Sequence, residues 1–110
     1  MLNPFTALLL FLAAVLEAGG DALVRRGLHG AAAPTRVAFL LAGALLLFVY
    51  GCFVNSPPWD FGRLLGVYVV FFFLVAQAVA WFFFGQAPSA GTLLGGCLIV
   101  AGGVVVYTRG

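Results

Sequence analysis

The chain has 110 residues, 65% of them hydrophobic and 7% charged, with a formal net charge of +2 and a mean hydropathy of +1.20. Such a composition excludes an ordinary soluble domain, and so small a charge leaves no electrostatic footprint for nucleic acid. One membrane-embedded unit over residues 1–110 is expected, with no room for a soluble catalytic module and hence no enzymatic activity.

Four apolar runs separate in chain order, at residues 4–24, 37–54, 64–84 and 92–107. At 1.5 Å rise per residue they span roughly 32, 27, 32 and 24 Å, against about 30 Å of bilayer hydrocarbon. Backbone groups in lipid must pair within a helix or a closed barrel, and these runs lack the alternation of barrel strands. The fold class predicted is therefore all-α integral membrane, with four transmembrane helices.

The first run, opening MLNPFTALLLFLAAVLEAGG, lacks a positive start and carries a carboxylate where a signal peptide stays apolar, so it is expected to be retained. The connections RRGLHGAAAPTR (25–36), NSPPWDFGR (55–63) and GQAPSAG (85–91) hold Pro34, Pro57, Pro58 and Pro88. Proline there stops helices without breaking a span, and short connections imply antiparallel neighbours. Loops one and three together carry Arg25, Arg26 and Arg36; the N-terminus, loop two and the tail carry Arg63 and Arg109. Three against two is a slight bias toward loop one in the cytoplasm, and insertion in both orientations is nearly as favourable.

Residues 13–27, AAVLEAGGDALVRRG, place Glu17 and Asp21 inside the first span. Glu17 falls about three residues past its centre, roughly 5 Å from the midplane, and Asp21 about 10 Å out. Spacing of four puts both on one face, continued by Arg25. Asp21 could simply pair with Arg25 near the interface; Glu17 has no basic partner in its span. A carboxylate at that depth must be neutralised, and one site that accepts either a proton or a cation is the physical basis of a proton-coupled exporter.

In the third run, Tyr68 and Gln77 lie nine residues apart and so on opposite sides of a helix. Only one need face the site. Gln77 falls near the depth of Glu17, whereas Tyr68 lies on the loop-two side and would reach an acidic group, near Asp21, from an antiparallel partner. The aromatic residues 71–73 and 81–84 are ordinary lipid-facing material, and Trp59 and Tyr107 suit interfacial anchors. The fourth run, TLLGGCLIVAGGVVVY, carries Gly95, Gly96, Gly102 and Gly103, two pairs seven residues apart. They permit close helix approach, either within the chain or at a dimer seam that would enlarge the polar site. Cys52 and Cys97 lie in apolar runs, where small packed hydrophobes are usual, and no metal site or cofactor is expected. His29 suits a solvated loop.

These features resemble the small multidrug resistance family of the drug/metabolite transporter superfamily. A four-helix chain of this length carries a lone deep Glu in AAVLEAGGDALVRRG and the later run WFFFGQAPSAGTLLGGCLIVAGGVVV. The likeness implies an antiparallel homodimer of dual topology in a bacterial-type inner membrane, with helix four as the dimer contact. It also implies that Glu17 binds protons and hydrophobic organic cations in competition; Gly20 and Arg25 fit the same pattern. The family's helix-three Tyr-Ala-Ile-Trp stretch and its following glycines are replaced here by LLGVYVVFFF, with Tyr68 where the Trp falls, and Asp21 doubles the acidic load. The chain thus looks like a divergent or sister branch, and a four-helix branch with GVYV in helix three shares part of the pattern. The alternatives are a carrier of metabolites or lipid-linked substrates, or a non-transporting assembly subunit in which Glu17 makes an interhelical hydrogen bond.

Overall fold

The computed structural model describes residues 2–30 and 32–110. Four helices follow in order: α1 Pro4–His29, α2 Ala33–Val54, α3 Phe61–Phe84 and α4 Ala90–Arg109. Each is long and apolar enough to cross a membrane.

All four run past the apolar limits, and their ends explain why. Asn3 caps α1 by accepting from the Thr6 amide at 2.8 Å, with Pro4 in the first turn. At the far end, Arg25 and Arg26 continue the helix instead of starting a loop, because cations are favourable at a helix C-terminus. The expected first loop therefore contracts around Gly30 and Ala32, with its Ala31 outside the described residues. Gly85, at φ 66°, takes the left-handed conformation that closes α3, while the Gln86 amide donates to Ala80 O. Ser89 caps α4 through the Thr92 amide at 3.1 Å.

The helices do not close into a bundle. α1 packs on both α2 and α3, and α4 packs on α3, giving a slab of 48 × 34 × 21 Å. Lipid tails are as apolar as leucine, so this packing is decided by how closely the helices approach. α1 and α2 meet through Gly20 and Gly43: a Cβ built on Gly43 would stand 2.9 Å from Gly20 O and 2.7 Å from Val24 Cγ2.

The tightest packing lies toward the end that carries the termini and the α2–α3 connection. Leu10, Ala13 and Ala14 are fully buried there against Val54, Leu64, Val67 and Tyr68. Trp59 and Tyr107, expected as interfacial anchors, meet each other at this end with ring centroids 6.0 Å apart. The Arg63 guanidinium lies over both rings and donates to Tyr107 O at 2.6 Å, tying α3 to the end of α4.

Candidate functional site

Glu17 stands at the midpoint of the 26-residue α1 and is half-buried. Tyr68, only 4% exposed, donates its phenol to Glu17 Oε1 at 2.8 Å. This contact lies within one chain, unlike the cross-subunit role expected for Tyr68. The difference comes from the longer helices: with α1 ending at His29, Glu17 moves to the helix midpoint. The offset from Tyr68 then shrinks to about 7 Å along the axis, which the phenol side chain spans.

Two further aromatics frame the pair. The Tyr50 ring on α2 lies 5.7 Å from that of Tyr68, and Phe72, one turn along α3, lies 6.3 Å from it on another side. Tyr50 escaped sequence reasoning, although a signal was present: it carries the only hydroxyl in the second apolar run. Glu17 Oε2 has no hydrogen-bond partner among the described residues. One carboxylate oxygen is therefore positioned by the phenol, and the other is available to a proton or a cation.

Asp21, a turn further along α1, is exposed on the wall of a cavity of about 270 Å³ between α1 and α3. Arg25, Phe72, Phe84 and Gln86 line the same cavity. The local Asp21–Arg25 ion pair is absent among the described residues; the Arg25 guanidinium lies instead 5.8 Å from the centroid of the Phe84 ring. Asp21 thus keeps an open carboxylate near Glu17.

Gln77 does not join them. It is half-buried on the side of α3 away from Tyr68, outside the lining of the Asp21 cavity, and makes no side-chain hydrogen bond among the described residues. Of the two alternatives on helix three, Tyr68 is the one that reaches Glu17.

The α4 glycines divide by register. Gly96 and Gly103 face α3 of their own chain, where an added Cβ would stand 2.5 Å from a ring carbon of Phe73 and collide with Val70. These two serve packing within the chain, not an outward seam. Gly95 and Gly102 have nothing among the described residues within 4 Å of an added Cβ and face away from the protein. Cys52 and Cys97 are free and exposed on the helix surfaces, and no group of three or more metal-ligating side chains occurs among the described residues.

Comparison with known proteins bears on this four-helix chain as a whole. No solved structure matches it. A UPF0060 membrane protein of Herpetosiphon aurantiacus is 32% identical over 108 residues, covering 96% of each chain. A family model described as "Uncharacterised BCR, YnfA/UPF0060 family" matches residues 4–109. With four spans and this match over nearly its whole length, the chain is a multi-pass membrane protein that belongs to the YnfA/UPF0060 family.

Proposed function

We propose that this protein is a proton-coupled exporter of small or hydrophobic organic cations, working as an antiparallel homodimer in a bacterial-type inner membrane. The observation that carries the proposal is the Glu17 carboxylate at mid-helix, held at Oε1 by Tyr68 and open at Oε2, with no ion pair among the described residues. A carboxylate at such depth is neutralised by whichever positive species reaches it. Proton and cation then compete for one site, and the proton gradient drives the exchange.

The neighbours suit an organic cation. The rings of Tyr50, Tyr68 and Phe72 offer aromatic faces near the carboxylate, to which a poorly hydrated cation is attracted. Asp21 adds a second negative charge on the path from the α1 C-terminal end. The open slab and the outward Gly95 and Gly102 are consistent with a second copy completing the chamber, with alternating access by rocking of the two copies. The sequence likeness to the small multidrug resistance family supports the same mechanism.

The test is flux in proteoliposomes carrying an imposed pH gradient, with guanidinium and quaternary ammonium ions as probes. Cation uptake driven by proton exit down the imposed gradient, abolished in Glu17→Gln with dimers retained, is the expected result. Loss of assembly in that variant would instead make Glu17 a structural hydrogen-bonding group. Absence of flux with every cation from folded dimers would shift the function to another cargo.

A further inference from the structure

Arg26 lies nine residues from Glu17 on α1, which places it on the opposite face of the helix. That face floors a groove of about 520 Å³ with α2 on one side and α3 on the other. Its walls are almost entirely apolar, including Val15 and Gly19 of α1, Leu46 of α2 and Val79 and Phe83 of α3. The volume falls within the range of about 300–1,000 Å³ usual for ligand clefts. Among the described residues Arg26 is the one charged residue of the lining, and it lies at the membrane-surface end.

A smaller cavity of about 250 Å³ continues from that end, sharing Arg26 and Phe39 with the groove and adding Thr35. The Arg26 guanidinium is held 5.5 Å from the Phe84 ring centroid and has no carboxylate partner among the described residues. Arg36, in the first turn of α2, adds positive charge at the same edge. An apolar channel running from mid-membrane to an unneutralised guanidinium has the polarity profile of an amphiphile whose charged group is negative. The organic cations proposed as cargo have the opposite charge and would meet repulsion there.

We propose that this groove holds one acyl chain of an anionic phospholipid from the surrounding bilayer, with the headgroup phosphate on Arg26. Basic pockets between transmembrane helices recognise lipid headgroups in this way, since phosphate accepts the guanidinium's fork of donors. Thr35 contributes a hydroxyl beside the phosphate. The lipid then wedges α2 and α3 at the end where they diverge, on the side of α1 away from Glu17. The groove shares Ala22, Val79 and Phe84 with the Asp21 cavity but does not include Glu17, so lipid binding stands whether or not Glu17 is the exchange group.

Purified protein in mild detergent is titrated with dioleoyl phosphatidylglycerol, and bound lipid is counted by native mass spectrometry. The variants are Arg26→Gln, Arg26→Lys, the groove-filling Gly19→Leu and Val79→Phe, and Glu17→Gln, each checked for helical content. A Cβ on Gly19 would meet only Leu46 Cδ1, at 3.8 Å, so a side chain can enter the groove there. Saturable binding of one lipid per chain is expected. Arg26→Gln should weaken it about fivefold, the effect of one basic residue near an anionic headgroup. Arg26→Lys and Glu17→Gln should retain it, and either filler should reduce it; inorganic phosphate should not compete.

Equal, non-saturating retention by all variants would overturn the proposal. So would loss in Arg26→Gln alone with both fillers unaffected, since only surface charge would then be involved. Competition by inorganic phosphate would make the ligand a free anion. Fillers that change dimerisation while leaving the lipid count unchanged would assign the groove to a second copy.

Discussion

At the end that carries the termini, Trp59, Arg63 and Tyr107 clasp α3 to α4 beside a core of Leu10, Ala13, Ala14 and Val54. At the opposite end, cavities separate the helices around Asp21, Arg26 and Phe84. The Glu17–Tyr68 hydrogen bond lies where the two regions meet. Small residues distribute the closeness: alanines let α1 approach α3 near the closed end, while Gly20 and Gly43 keep α1 on α2 into the open one. The open end therefore has two mouths, one between α1 and the second half of α3 beside the acidic face and a larger one between α2 and α3 on the opposite face of α1. The mid-helix carboxylate thus sits at the boundary between a tightly packed end and an end that holds the cavities.

The largest expected contrast is between core and open-end substitutions. Leu10→Ala, at a fully buried position, should cost about 2–5 kcal/mol in denaturant unfolding, whereas Phe83→Ala, 69% exposed, should cost about 0.5 kcal/mol or less. Equal costs would mean that the closed end is not the more tightly packed one. Tyr68→Phe removes the phenol held by Glu17 while keeping the ring. Losing a hydrogen bond to a charged group costs about 1.5–3 kcal/mol, so cation affinity read by calorimetry should change about tenfold or more, with helical content unchanged. An unchanged affinity would remove Tyr68 from the site.

A paired test on α4 separates the two uses of its glycines. Gly103→Val collides with Val70 of its own chain and should destabilise the protomer by about 1–3 kcal/mol. Gly102→Val meets nothing within 4 Å and should leave the protomer intact while weakening dimers in cross-linking. A modest backbone effect belongs to Gly85→Ala. At φ 66° it should cost about 1 kcal/mol of thermal stability, with transport retained.

Much of this architecture was legible in the sequence, because bilayer thickness converts apolar run length directly into spans. The deep carboxylate was legible for the same reason: nothing in the first span offers Glu17 a counter-ion. The helix ends were less so, since Arg25 and Arg26 read as loop by hydropathy yet suit a helix C-terminus. Underestimating α1 then displaced Glu17 from mid-helix and put Tyr68 out of its reach. Tyr50 was missed because its nearness to Tyr68 depends on how α2 and α3 are arranged around α1. Hydropathy could not separate Gly95 and Gly102 from Gly96 and Gly103; only the position of α3 does that.

Proton release from purified, weakly buffered protein on adding guanidinium, quaternary ammonium or phosphonium ions tests the central claim most directly, with Glu17→Gln measured beside it. Release that saturates with cation and vanishes in the variant is the predicted result. No release by any of these cations from folded, dimeric protein, or equal release from Glu17→Gln, would contradict competition of proton and cation at Glu17.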